Sequence, residues 1–297
     1  MYTLKSGKLY MKEVVVLSGK GGTGKTSIAG CFAALAHNKV LSDCDVDAAD
    51  LHLLLQPTDR QTEEFWSGQI AHIDETTCTG CGLCQELCRF DAIHNFQVSR
   101  VSCEGCGFCA HICPVNAITM QDNMAGHWYI SDTKYGPLVR ARLGIAQENS
   151  GKLVALVRQQ ARKIAADKGY STIITDGPPG IGCPVISSLS GADLALLVTE
   201  PTVSGLHDLE RVIEVCRHFR VPATVCINKY DINEEKASKI EEHCADIGIK
   251  VSGKIPFDTA VNRAVAHGIP LVEYGEGPAT GEVKRLWKNI EELISPD

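Results

Sequence analysis

Eight cysteines stand in two runs of one spacing. Residues 78–88 read CTGCGLCQELC and residues 103–113 read CEGCGFCAHIC, each a C-x2-C-x2-C-x3-C run. Four thiolates hold a [4Fe–4S] cluster. At this spacing the close triplet grips three irons from one loop, and the fourth thiolate comes from the other run. The spacing therefore predicts two clusters. One is held by Cys78, Cys81, Cys84 and Cys113, the other by Cys88, Cys103, Cys106 and Cys109. The alternative is structural zinc, which usually takes two separated pairs of ligands. The chemistry predicted is one-electron transfer. Glycines between the cysteines free backbone N–H groups to approach the sulfurs and tune the potential. Pro114 follows Cys113, but Arg89 follows Cys88, and its charge is expected to raise the potential of the nearer cluster.

A second constellation precedes these runs. SGKGGTGKT at 18–26 contains G-x-x-x-x-G-K-[ST], formed by Gly19, Lys20, Gly21, Gly22, Thr23, Gly24, Lys25 and Thr26. Such a loop turns backbone N–H groups toward phosphates. Its lysine reaches the β- and γ-phosphates, its hydroxyl holds Mg²⁺, and the helix that follows adds its dipole. Ser27 continues the nucleotide-binding set, and Asn228 is a candidate to read the base. Asp176 ends an apolar run where a Mg²⁺ ligand belongs. Asp43, Asp45 and Asp47 cluster after a second apolar run. They read either as a solvated turn or as a catalytic group in which Asp45 positions the attacking water or the metal shell. The catalytic set is then Lys20, Lys25, Asp45 and Asp176, with Thr26, Asp45 and Asp176 toward Mg²⁺.

These residues need elements to hold them. KEVVVL at 12–17 is a buried strand feeding the phosphate loop, and TSIAGCFAALA places Ile28, Phe32 and Leu35 at helical spacing. KVL is a second strand, and LHLLLQP stops at Pro57. Residues 58–72 turn polar. From 74 an internal repeat begins: DETTCTGCGLCQELCRFDAI (74–93) aligns with SRVSCEGCGFCAHICPVNAI (99–118). Such a duplication predicts a pseudo-twofold module with two equivalent sites. After 122 an α/β rhythm resumes, with a helix near 152–168 and strands near 171–176, 193–199, 222–227 and 249–255. Alternating strands and helices predict a mainly parallel sheet covered on both faces. The reading is an α/β ATPase domain over 1–65 and 123–297, interrupted by a small α+β module of bacterial-ferredoxin type over 66–122.

Composition limits the alternatives. The chain has 297 residues, 44% of them hydrophobic, enough for a substantial core. Lys and Arg number 29 against 36 Asp and Glu, a net charge of −7, which argues against a nucleic-acid partner. No apolar run is long enough to span a membrane. No apolar signal core precedes the phosphate loop, so secretion is not expected. Residues 1–10 read equally as a native start or an upstream extension. Fourteen cysteines without a secretion signal predict a reducing, cytoplasmic setting and metal rather than disulfides.

The loop also carries a resemblance. Lys20, just after the first loop glycine, makes it similar to the deviant Walker A loop of the MinD/Mrp group of ATPases, which includes the nitrogenase iron protein. The likeness extends over the 43–50 aspartates, Asp176 to Gly182, VTEPTVSGLHDLERV at 198–212 and INKYD at 227–231. DGPPGIGCPVISSLSGAD (176–193) and RARLGIAQENSGKLV (140–154) resemble members with an inserted ferredoxin domain. The resemblance implies a doubly wound sheet and two ATP molecules sandwiched between two protomers, identical or related. It implies that Lys20 crosses to the partner's phosphates.

Six cysteines remain. Cys183 lies inside the turn expected to sense the γ-phosphate, seven residues after Asp176. In the nitrogenase iron protein a turn of similar spacing carries a cluster ligand. Three roles stand open: a metal ligand at the dimer interface, a redox or partner contact, or packing. Cys44, between two aspartates, reads as packing, as do Cys31, Cys216, Cys226 and Cys244. EVKRLWKNIEELI at 282–294 is amphipathic, and docking on the protein body is favoured over membrane binding. Lys152 either starts a helix or faces the nucleotide or the inserted module.

Three functions fit. The first is an ATP-driven redox protein that presents its clusters to a redox partner protein. The second is an iron–sulfur carrier or metallocentre assembly ATPase. The third is a cell-division-type organiser whose clusters sense redox state.

Overall fold

In a computed structural model the structure describes residues 11–144 and 149–295. Residues 1–10 lie outside the described residues, as do 145–148 of the 140–154 stretch. The chain forms two compact units. The first holds the chain up to Thr62, Tyr129–Ala141 and the chain from Gly151 on; the second holds Glu63–Trp128 and Arg142–Ser150.

The first unit begins with β1 (Lys12–Ser18), the phosphate loop and α1 (Lys25–Leu35). Then come β2 (Lys39–Asp43), α2 (Leu51–Leu55) and β3 (Thr58–Ile73), which carries the chain into the second unit. There α3 (Leu83–Glu86), β4 (Ile93–His94), β5 (Gln97–Val98) and α4 (Phe108–Ile112) follow. The chain returns along β6 (Ile118–Thr133), and two residues join this strand to β7 (Gly136–Leu143). After α5 (Ser150–Lys168) come β8 (Thr172–Pro179), α6 (Cys183–Leu189), β9 (Leu194–Thr199), α7 (Val203–His218), β10 (Ala223–Asn228), α8 (Glu234–Asp246) and β11 (Val251–Ile255). The described chain ends with α9 (Thr259–Ala266), α10 (Leu271–Tyr274) and α11 (Pro278–Ile294).

The sheet order is β11-β10-β9-β1-β8-β2-β7-β6-β3. Every pairing from β11 through β7 is parallel. β6 is antiparallel to β7, because a two-residue link is too short for a parallel crossover. Central β1 shows why this sheet must be covered twice. Val14 and Val16 pack with Ile28, Phe32, Leu196 and Trp287, whereas Val15 and Leu17 pack with Val185, Leu189, Leu209 and Ile213. A strand apolar on both faces is stable only between two helical layers. The amphipathic 282–294 segment lies in α11 and sinks Val283, Leu286, Trp287 and Ile290 into the first of these cores. Among the described residues no helix is long and apolar enough to cross a membrane.

Glu13 is a charged exception on β1, only 2% exposed. Arg158 on α5 grips it through Nε (2.7 Å) and NH2 (2.8 Å), Arg162 adds two bonds, and the Thr175 hydroxyl donates at 3.1 Å. A buried carboxylate is tolerable only when so fully paired.

The second unit has a small core of Ala71, Ile73, Cys84, Ile93 and Ile118, with five further ligand-run cysteines packed against it. Its repeat is visible in the backbone. Gly80, Gly82, Gly105 and Gly107 all take left-handed φ values of 63–81°, as the tight loops between cysteines require. Asp91 and Asn116, one repeat apart, are both left-handed as well.

Three sequence expectations need correction. Residues 58–72, read as a polar break, form most of edge strand β3. Long strands β6 and β7 stand from 118 on, where no strand signal precedes the helix near 152–168. Asp176 lies inside β8 rather than at its end, since the strand runs on to Pro179.

Candidate functional site

The phosphate loop joins β1 to α1 at the C-terminal end of a central strand, where parallel sheets place their ligands. Gly22 and Gly24 are left-handed, with φ of 79° and 91°. Gly19 is required for a different reason, because a Cβ there would overlap Asp208 of α7. No side chain caps α1, so its first N–H groups, around Thr26 and Ser27, remain open to an anion.

Lys25 opens α1 and is buried. Its Nζ lies 3.3 Å from Asp45 Oδ2 and 3.4 Å from Asp176 Oδ1. Burial pulls its pKa down, but the surrounding Asp176, Asp45 and Asp43 outweigh it and leave the ammonium raised above the usual lysine value. Asp43 is buried completely. It accepts from the Asp45 and Leu51 backbone N–H groups, both at 3.2 Å. Burial first, and then Asp176, push its carboxyl well above the usual range. Burial also raises Asp45, with Lys25 pulling the other way. Asp47 is exposed and stands outside this group.

Three carboxylates thus face one ammonium. Asp176 Oδ2 and Thr23 Oγ1 are buried without a hydrogen-bond partner. A hard divalent cation takes oxygen ligands of this kind, so the donor set fits Mg²⁺. The fold brings Asp45 and Asp176 together on Lys25, and Thr26 is the next residue in α1.

Lys20 points elsewhere. Its Nζ lies 3.4 Å from Thr202 Oγ1, 3.4 Å from Ser204 Oγ and 3.6 Å from Glu200 Oε2. Lys229 pairs with the other Glu200 oxygen. Asn228, a candidate base reader, donates its amide to the Thr23 carbonyl at 2.7 Å and so braces the phosphate loop. Its amide also blocks any side chain at Gly24. Beside it opens a cavity of about 260 Å³ lined by Gly24, Ser27, Asn228, Pro256, Phe257 and Val261 among others. Glu200 and Asp208 escaped the residue-by-residue reading. Their signal was their place in the 198–212 stretch.

The cysteines of the second unit divide between two cavities. Cys78, Cys81, Cys84 and Cys113 line one of about 20 Å³ with Ile73, Phe96 and Ile118. Cys88, Cys103, Cys106 and Cys109 line another of about 410 Å³ with Leu87, Phe90 and Phe108; Cys84 borders both. The last thiol of each run accepts a backbone hydrogen bond, from Ala92 to Cys88 Sγ (3.4 Å) and from Ala117 to Cys113 Sγ (3.3 Å). These bonds are one repeat apart. Among the described residues no three His, Cys, Asp or Glu side chains could hold a single metal ion. The thiols line cavities rather than converge on a point. A four-iron cluster takes four thiolates around a volume, and each set of four supplies that donor chemistry. The first cavity, about 20 Å³, has room for only about one water, so its thiols would have to spread to take a cluster.

Cys183 is exposed at the start of α6, behind Gly182. Cys31, Cys44, Cys216, Cys226 and Cys244 are buried. Burial raises the thiols of Cys31 and Cys244 to about 11 and of Cys216 to about 12, and lifts Cys44 and Cys226 as well. Lys152 is exposed in the first turn of α5.

The family described as CobQ/CobB/MinD/ParA nucleotide binding domain matches residues 14–271. An uncharacterized protein of Methanocaldococcus jannaschii is 34% identical over 285 residues, 95% of this chain and 97% of that one. An iron–sulfur cluster carrier protein of Pyrococcus furiosus is 23% identical over 311 residues, 97% of this chain and 87% of that one. The septum site-determining protein MinD of Pyrococcus horikoshii, solved with Mg-ADP, has the same fold, with a TM-score of 0.59 at 18% identity over 95% of this chain and 97% of that one. The chain belongs to the CobQ/CobB/MinD/ParA family of P-loop nucleotide-binding domains.

Proposed function

We propose that this protein binds and hydrolyses ATP and couples its nucleotide state to electron transfer through two [4Fe–4S] clusters. The observation that carries the reading is the division of the eight thiols. Each run of cysteines sends its fourth member to the other run's cavity. The small core of the second unit adds support, since a unit of this size commonly leans on a metal group for stability.

At the nucleotide site, Lys25 and the open N–H groups of α1 hold the phosphates. Asp176 and Thr26 would hold Mg²⁺, which would neutralise phosphate charge. Asp45, its carboxyl raised by burial, orients water toward the γ-phosphorus. The water oxygen bonds to that phosphorus, the bridging oxygen departs with ADP, and the water's proton passes toward Asp45. Lys20, held by its own chain at Glu200, acts across a dimer of two such chains in a reducing cytoplasm.

In the second unit, the cysteines would hold the clusters and the Ala92 and Ala117 N–H groups, which bond to Cys88 and Cys113 Sγ, would tune them; the clusters would supply one-electron chemistry. Leu83, Leu87, Phe90, Val101 and Phe108 are exposed around the cysteine runs. That apolar surface suits a redox partner protein.

Anaerobic reconstitution tests the reading. It predicts about eight irons per chain. It also predicts ATP hydrolysis that is lost in Lys25→Ala with iron retained. A single zinc per chain, or hydrolysis untouched by Lys25→Ala, would overturn it.

A second reading, cluster carriage, draws on exposed Cys183 and on the carrier relative. It predicts that iron moves from this protein to an apo-ferredoxin, and that Cys183→Ala slows the transfer. Transfer at an unchanged rate counts against it.

A further inference from the structure

The chain passes between its two units at 62–63, 128–129, 141–142 and 150–151. Three of these passages lie inside β3, β6 and β7. The fourth is the first turn of α5.

That turn rests on glycine. Within the first unit, a Cβ at Gly151 would stand 3.2 Å from Cys183 Cβ and 3.3 Å from Ser187 Oγ. The start of α5 therefore lies with its backbone against α6. Further along, Arg158 donates to the Ser187 and Ser190 carbonyls while it grips Glu13 on β1. So α6 is fastened to α5 at both ends. Its chain follows directly from Asp176, which faces Lys25.

On the other side of the Ser150 peptide bonds, the packing continues inside the second unit. Asn149 Nδ2 lies 3.7 Å from where a Cβ at Gly68 would stand. The next residue, Gln69, presents its carbonyl so closely to Gly105 that a Cβ there would overlap it. Gly105 sits between Cys103 and Cys106. Its equivalent in the first run is Gly80, which meets only the Phe96 ring edge, at 3.9 Å. The second run is packed backbone to backbone on β3; the first is not.

We propose that Gly151 and Gly105 are positioning residues that make the second cysteine set, Cys88, Cys103, Cys106 and Cys109, the nucleotide-responsive one. The inference rests on the proposed function. The Gly151 and Gly105 backbones are close-packed and have no rotamer with which to absorb a displacement, so a shift of α6 reaches the second unit through the first turn of α5 and the Asn149 side chain. It arrives at the Gly105 loop, where N–H groups next to thiolates set the potential.

Peptide-level hydrogen exchange on the anaerobic, iron-loaded protein tests this, with MgADP compared with a non-hydrolysable MgATP analogue. Residues 68–70 and 103–107 should change exchange rate by roughly threefold or more. Residues 78–82 should not change, and they serve as the internal control. Gly151→Ala keeps a good helix former in α5 and should abolish the difference. The nucleotide shift in potential of one cluster should shrink with it, about 59 mV for each tenfold change in the reduction equilibrium. If Gly151→Ala loses iron, Asn149→Ala, which leaves the α5–α6 contact intact, is read in its place. Equal change in both runs, no change in either with nucleotide bound, or a change untouched by the variants overturns the inference and leaves the proposed function standing. Protein that binds nucleotide but no iron overturns both.

Discussion

Lys25 sits among more negative charge than it can balance. Asp43 and Asp45 are already pushed up by burial; Lys25 pulls Asp45 back, and the Asp45 backbone N–H and then Lys25 pull Asp43 back. In Lys25→Ala both carboxyls should rise further. A carboxyl raised by folding costs stability above its unfolded value of about 4, and the cost grows as pH climbs through its folded value. Lys25 itself, raised by its partners, stabilises at every pH below the usual lysine value. Nucleotide-free Lys25→Ala should therefore lose more stability at pH 8, about 3–5 kcal/mol, than at pH 5. Thermal melts at the two pH values read this directly, and an equal loss at both would refute it. Thiol reactivity gives a second prediction. Iodoacetamide should label exposed Cys81, Cys106 and Cys183 on the metal-free protein and spare buried Cys31, Cys44, Cys216, Cys226 and Cys244. Reconstitution should protect Cys81 and Cys106 but not Cys183; mass spectrometry distinguishes these. The chemistry at this scale was legible because it is local. Loop glycines and cysteine spacings are written in consecutive residues. Glu200 and Asp208 were hidden because only the fold brings them to Lys20 and Gly19. Asn228 was seen, but its brace on Thr23 depends on how β10 lies beside the loop.

The elements that could be read were those with a strong period. β1 and α1 announce themselves by apolar spacing, and β8 to β11 by short apolar runs between helices. β3 does not. TDRQTEEFWSGQIAHI exposes most of its first ten residues, so no alternation marks it. Edge strands have little burial to impose a pattern. β6 was hidden likewise, its residues mostly polar or half-buried. Asp176 was misplaced at a strand end because the following Gly-Pro-Pro reads as a breaker, yet it continues β8. One staple at this scale is open to measurement. Removing Arg158 leaves Glu13 buried with fewer partners, so Arg158→Ala should cost about 3–5 kcal/mol in denaturant unfolding. Glu13→Gln combined with Arg158→Met, which removes both charges, should cost less than the single change. A double variant as unstable as the sum of its parts would show that charge pairing is not what the pair contributes.

For the whole molecule, the insertion point is the informative feature. The chain passes into the second unit at 62–63 and 141–142 and back at 128–129 and 150–151, the last passage opening α5, which is fastened to α6. That last passage is the one next to the segment running on from Asp176. Lys20 is held by the chain's own Glu200, Thr202 and Ser204. If it acts on a partner's nucleotide, ATP hydrolysis per chain should rise with protein concentration, and Lys20→Ala should flatten that dependence while ATP still binds. Calorimetry and a steady-state assay separate the two. The central claim is that nucleotide state and electron affinity are coupled. The most direct measurement is an anaerobic EPR-monitored titration of both clusters with MgADP and with a non-hydrolysable MgATP analogue. The account predicts a shift of at least about 59 mV in one cluster, a tenfold change in its reduction equilibrium, with iron retained. Potentials that stay the same with either nucleotide bound would contradict it.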